Sequence, residues 1–123
     1  MENDNEKFKN DFRKRLYSWV LELIQCIDSL PKDSVSEVMG RQILRSGTSI
    51  LANYVEASAT SSKKDFINFF TYSLKSANES KVWLNLLHDS GRDKDEKIGP
   101  LLKELTEIAN VLASSILTMK GRK

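Results

Sequence analysis

The sequence predicts an all-α protein, an antiparallel up-down-up-down four-helix bundle. Three observations carry this reading. Proline and glycine are scarce, two and five in 123 residues, whereas an all-β chain needs many turns. Apolar residues return at steps of three and four in four successive segments. The breaks between these segments are short and hold turn-forming residues, so successive helices become antiparallel neighbours. The length suits one domain spanning residues 1–123, with residues 1–6 and 120–123 expected to fray. Such a chain buries a core without disulfides or metals.

The first helix is predicted over residues 4–29. Phe8, Phe12, Leu16, Trp19, Val20, Leu23, Ile27 and Leu30 form one stripe, and Pro31 stops the helix. The second is predicted from Ser34 or Ser36 to residues 57–59. Ser34 and Glu37 have capping-box spacing. Its expected inner stripe is Val35, Val38 or Met39, Ile43, Leu44, Gly47, Ile50, Leu51, Tyr54 and Val55. The third is predicted from Ser61 or Ser62 to Ser90, with Phe66, Phe70, Leu74, Ala77, Leu84 and Leu87 inside and Gly91 at its end. The fourth has two candidate starts. One places Asp93, Asp95 and Glu96 in its first turn; the other begins near Ile98 or Gly99, which puts Pro100 in the opening turn. Its stripe is Leu101, Leu102, Leu105, Ile108, Ala109, Leu112, Ile116 and Met119.

The composition excludes several classes. Apolar residues make up 40% and charged residues 29%, as in a water-soluble globular chain. The N-terminus is polar and no apolar run approaches a bilayer span of about 20 residues, so the expected location is the cytoplasm, with no membrane partner. Cys26 is the only cysteine and His88 the only histidine, so neither a disulfide nor a histidine metal cluster is expected. Cys26 reads as a small buried side chain. No phosphate loop, nucleophile elbow or di-iron motif is present. Glu56 and Glu79 read as structural partners of Arg41 or Arg45, not as general acids. The expectation is a non-enzyme with no cofactor, no metal and no small-molecule substrate.

Two stretches carry more apolar or uncharged surface than one core requires. Residues 46–55 have no charge, and Thr48, Ser49, Ala52 and Asn53 fall on their outward side. A solvated helix face would hold Lys or Glu there. On the third segment Phe69 and Tyr72 point away from the inner stripe, and Trp83 follows on the same flank; Tyr17, Leu21 and Ile24 form an outer flank on the first. Contiguous apolar patches mark interfaces, so Phe69, Tyr72, Trp83, Thr48 and Ala52 are candidate self-association residues. The competing reading is that the helix phases differ by some tens of degrees and these residues belong to the core.

The net charge is only +2, too small to announce a nucleic-acid partner. Its distribution is uneven. One bundle end gathers Lys7, Lys9, Arg13, Lys14, Arg15, Lys63, Lys64, Lys120, Arg122 and Lys123 against fewer acids. Of these, Arg13, Lys14, Arg15, Lys63, Lys64, Arg122 and Lys123 are candidate nucleic-acid contacts, since copies arrayed in one direction would add their fields. A solvated bundle end is the alternative.

The stretch from Gly40 to Ala57 contains Gln42-Ile43-Leu44-Arg45-Ser46, then Ser49-Ile50, Asn53 and Glu56-Ala57. Lys64-Asp65-Phe66, Ala77-Asn78-Glu79, Arg15-Leu16-Tyr17 and Leu30-Pro31 accompany it. Together they resemble the signature of the bacterial four helix bundle protein family, also called the 23S rRNA-intervening sequence protein family. The resemblance spans about residues 12–117. It implies an antiparallel four-helix bundle, a ring-like homopentamer, and Arg45, Ser49, Asn53 and Glu56 as motif residues. Partners implied are further copies of the chain and, in a retroelement branch, RNA and an RNA-binding protein. Ala57 stands where many members have glycine, and the composition lacks the strongly basic character of that branch.

Overall fold

A computed structural model describes residues 3–121. Four helices follow in order: α1 (Asp4–Asp28), α2 (Ser34–Ala59), α3 (Lys63–Asp89) and α4 (Ile98–Met119). Each packs on two neighbours, α1 on α2, α2 on α3, α3 on α4 and α4 on α1, and among the described residues the backbones of diagonal helices do not come close. The result is a square, antiparallel bundle.

Local chemistry sets the helix ends. Asn3 and Glu6 form a reciprocal capping box that starts α1 at Asp4, within the stretch expected to fray; residues 1–2 and 122–123 of the expected frayed ends lie outside the described residues. Asp33 caps α2 by accepting from the Ser36 amide at 2.8 Å, replacing the expected Ser34 cap. An aspartate one position earlier reaches the third-residue amide as well as a serine does. Ser62 caps α3. Gly91 ends it at φ +79°, with Gly91 N–H donating to His88 and Arg92 N–H to Leu87, a paired closure that needs a left-handed residue.

Of the two starts considered for α4, the later one occurs. Asp93, Asp95 and Glu96 lie in the loop before it. Asp93 still acts on the helix, since its carboxylate accepts from Lys97 N–H at 2.9 Å and Ile98 N–H at 3.2 Å. Pro100 sits third in α4, where its missing N–H has no helical partner to lose. This connection, residues 90–97, is longer than the short link expected.

The core runs the length of the bundle. Trp19, Leu16, Leu23, Ile43, Ile50, Tyr54, Leu84, Leu87, Ile98, Leu105, Ile108 and Leu112 are its largest fully buried side chains. The stripes of α3 and α4 sit inward as expected, although Phe66, Leu74, Leu102 and Met119 are only partly covered. The stripe of α2 needs correction. Val35, Val38 and Leu44 are exposed, while Ser36, Gly40 and Ser46 are buried with Ile43, Gly47, Ile50 and Tyr54. Apolar residues occupy more than half the circumference of α2, so periodicity alone leaves its rotation open. Close approach fixes it instead. A Cβ on Gly47 would run into Leu23 Cδ2 and lie 3.4 Å from the Trp19 ring, so a larger residue there would force Leu23 of α1 to move. Phe8 is likewise exposed, stacked at 6.1 Å on buried Phe12.

Small hydroxyl residues make the α2–α3 seam. Ser46 and Ser80 pair hydroxyl to hydroxyl at 2.8 Å, and Ser73 donates to the Ile50 carbonyl at 2.8 Å. All three are fully buried. Each hydroxyl is satisfied, which is the condition for burying it without penalty. On the opposite side Trp19 Nε1 donates to the Leu101 carbonyl at 3.0 Å and joins α1 to α4.

Cys26 is buried, as expected, and its thiol is pushed up to about 11, chiefly by burial. Burial also pushes the Tyr54 phenol up to about 12, and its hydroxyl donates to the Lys9 carbonyl at 3.0 Å. Both groups fold in their neutral forms with raised pKa values. Their stabilisation is complete below the unfolded values of about 9 for the thiol and 10 for the phenol, and it fades as pH climbs through the folded values. Urea midpoints measured from pH 8 to 11 should therefore fall with rising pH, and a Cys26→Ala variant should show a shallower decline.

Candidate functional interface

The signature residues of α2 come together on one outer side of the square, beside α3. The register is fixed by the Ser46–Ser80 and Ser73–Ile50 contacts. At that height Arg45 forms an ion pair with Glu79 of α3. Arg45 also donates to Gln42 Oε1 at 3.1 and 3.2 Å, and Trp83 Nε1 donates to Glu79 Oε2 at 3.0 Å. The Trp83 indole, and then Arg45, hold the Glu79 carboxyl below the usual carboxylate range. Four side chains from two helices thus lock one another in place at the surface.

Ser49 and Asn53 behave differently. Ser49 Oγ donates to the Arg45 carbonyl at 2.8 Å, and Asn53 Nδ2 to the Ser49 carbonyl at 2.9 Å. Thr48 Oγ1 donates to the Leu44 carbonyl at 2.7 Å. These polar groups spend their donors on their own helix. What remains outward is short and smooth, with Ala52 fully outward between them.

The structure corrects several site expectations. Of the ion pairs considered, Arg45 with Glu79 forms, whereas Arg41 pairs with Glu37 at 3.6 Å and Glu56 is exposed. Phe69 and Trp83 do not point clear of the core but pack half-buried against it, while Tyr72 stands exposed and meets Phe69 edge-on at 6.1 Å. The step of three from Phe66 to Phe69 rotates the second ring only partly off the inner face. Tyr17, Leu21 and Ile24 are exposed, as expected.

Among the candidate nucleic-acid residues, Arg13, Lys14, Lys63 and Lys64 are exposed. Arg15 is not available: it grips Glu104 through two hydrogen bonds, at 2.5 and 2.8 Å, and reaches Glu107 at 3.3 Å. These α4 carboxylates lie opposite it in the α1–α4 seam, a pairing that one-dimensional charge counting does not reveal. Arg122 and Lys123 lie outside the described residues. Lys9 sits 5.5 Å from the Phe66 ring centre, a cation–π distance.

Sequence reasoning also missed the buried serines of the α2–α3 seam and Ser36, whose hydroxyl is buried without a hydrogen-bond partner. The uncharged composition of residues 46–55 was the available signal for Ser46 alone. Among the described residues no three His, Cys, Asp or Glu side chains converge as a metal site, and no helix is long and apolar enough to cross a membrane.

Fold and surface define an all-α four-helix bundle whose distinctive residues line one outer side, between its second and third helices. The model of the 23S rRNA-intervening sequence protein family matches residues 9–114, and the chain belongs to that family. It is similar to a crystal structure from Bacteroides thetaiotaomicron described as a protein of unknown function from the S23 ribosomal protein family. The two share 35% identity and a TM-score of 0.80, covering 88% of this chain and 96% of the other. No curated protein matches the chain.

Proposed function

We propose that the protein is a cytoplasmic, ring-like homo-oligomer with no catalytic activity of its own, serving as a structural accessory to RNA or to an RNA-binding protein. The observation that carries self-assembly is the outward apolar surface. Tyr72 is 49% exposed beside half-buried Phe69 and Trp83, and Val38 and Leu86 are exposed on the helices that form this side. Covering a large apolar side chain is worth about 1.5–3 kcal/mol, and a cluster of them favours association. The Arg45–Glu79–Trp83 lock supports this reading, because a side chain held in place before docking loses less freedom on docking.

Light scattering should give a mass several times that of one chain. Tyr72→Glu should reduce it to the single-chain mass with unchanged helicity by circular dichroism. A wild-type protein of single-chain mass would overturn the proposal.

The family description names the 23S rRNA intervening sequence, and exposed Arg13, Lys14, Lys63 and Lys64 stand at one bundle end. These support RNA as the partner. Filter binding at low salt should retain RNA, and retention should drop steeply as salt rises. No retention at low salt removes RNA from the proposal.

A further inference from the structure

A continuous series of aromatic rings crosses one end of the bundle. The antiparallel order brings the starts of α1 and α3 to the same end as the finishes of α2 and α4. Phe8 stacks on Phe12 at 6.1 Å, and Phe12 meets Tyr54 edge-on at 5.1 Å. Tyr54 meets Phe70 at 5.5 Å, and Phe70 stacks on Phe66 at 4.8 Å. Phe12, Tyr54 and Phe70 are buried core. Phe8, at the α1 end of the series, is 52% exposed, and Phe66, at the α3 end, is only partly covered. The two end rings therefore keep surface that the core does not use.

Those end rings line a cavity of about 450 Å³, within the usual range of ligand pockets, about 300–1,000 Å³. Small residues of α4 make room for it. Ser115 and Thr118 line it at this end, whereas Leu101, Leu105 and Leu112 fill the core at other heights of the same helix. Among the described residues Lys9 is the only charged side chain in the lining, and Asn5 and Ser115 add neutral polar groups. The acids of this end, Asp4, Glu6, Asp11 and Asp65, take no part in it. Near its rim stand exposed Lys63, one turn before Phe66, and exposed Lys120, next to Met119 of the lining.

Aromatic rings, one cation and no acid call for a guest that is flat, aromatic and anionic. A nucleobase with its phosphate has that chemistry, since every base offers a π-face to an aromatic side chain. The base must be unpaired, because a base inside a helix is stacked on both faces and cannot be splayed into a pocket. Lys9 Nζ lies 5.5 Å from the Phe66 ring centre, a weak hold at an exposed site. Its flexible stem lets the ammonium leave that ring for the phosphate as a base arrives. Lys63 and Lys120 then face the neighbouring phosphates of a strand, which a lone aromatic acid would leave unused.

We infer that this cavity takes one unpaired base of a single-stranded RNA between the Phe8 and Phe66 rings, with Lys9 on the attached phosphate. This rests on the RNA reading proposed above and specifies the part of the RNA that is held. The probe is a short single-stranded RNA carrying one fluorescent adenine analogue, whose emission falls when it stacks. The strand should bind with quenching, and more tightly than a blunt duplex of the same length or the free monophosphate of the analogue. Phe8→Ala removes an exposed ring and should leave helicity unchanged. It should weaken single-strand binding by about 5- to 150-fold, the range for losing one base-stacking ring, and leave duplex binding as it was. Ser115→Leu fills the cavity while keeping every charge, and it should act in the same direction. Lys9→Gln should lower the salt dependence of single-strand binding by one phosphate contact.

Strand and duplex bound equally tightly, with Phe8→Ala changing neither, would overturn the inference and leave RNA binding at the basic end standing. Equal affinity for the strand and the free monophosphate would overturn RNA as the source of the base. Binding of neither strand nor duplex at low salt would instead remove the underlying RNA proposal, and this inference with it.

Discussion

Trp19→Ala is expected to destabilise the fold by about 3–5 kcal/mol, the range for truncating a large buried aromatic side chain. Trp19 is among the largest fully buried side chains, at 1% exposure. It touches three helices at once. It belongs to α1, its ring lies under Gly47 of α2, and its Nε1 bonds the Leu101 carbonyl of α4. Truncation therefore leaves a cavity beneath Gly47 of α2 and removes a bond across the α1–α4 seam. Domains of this size are stable by only about 5–15 kcal/mol, so the variant should sit near its unfolding threshold. Urea denaturation at matched protein concentration measures it, since assembly makes apparent stability depend on concentration. A loss below about 1 kcal/mol would contradict the packing described.

Ser80→Leu is expected to cost about 2–5 kcal/mol, combining overpacking with an orphaned buried hydroxyl. Ser80 Oγ pairs with Ser46 and donates to the Ser76 carbonyl at 2.8 Å, in a position with no exposure. A leucine there must push α2 and α3 apart and strand the Ser46 hydroxyl. The Arg45–Glu79 pair spans the same seam, so the signature side should distort as well, and assembly should weaken with stability. Ser80→Ala separates the two effects. It keeps the helices close and removes only the overpacking, so it should cost about 1–3 kcal/mol, the range for leaving a buried hydroxyl without its partner. Equal losses for the two variants would show that the seam tolerates a larger separation.

Much of this was legible along the chain. The α3 and α4 stripes sit inward, and so does that of α1 apart from exposed Phe8, because apolar residues at steps of three and four return to one side of a helix. Gly91 ends α3 where a left-handed residue was expected, and Cys26 is a buried side chain. The outer flank of Tyr17, Leu21 and Ile24 was also readable, since no rotation of α1 buries both it and Trp19. The candidate interface was half legible. Tyr72 is exposed as its spacing implied, but Phe69 and Trp83 lean back onto the core. Arg15 looked like a basic surface residue until Glu104 and Glu107, some ninety positions away, were placed beside it.

The sequence by itself determined four helices, where three of them turn their apolar faces, and which family signature the second and third carry. Periodicity and end-capping act over a few residues, so they are written locally. Only the tertiary structure decided the rotation of α2, the serine seam, and which arginine meets which glutamate. Those depend on how near two backbones can come, and that distance is set jointly by residues on separate helices: Gly47 against Trp19 and Leu23, Ser46 against Ser80.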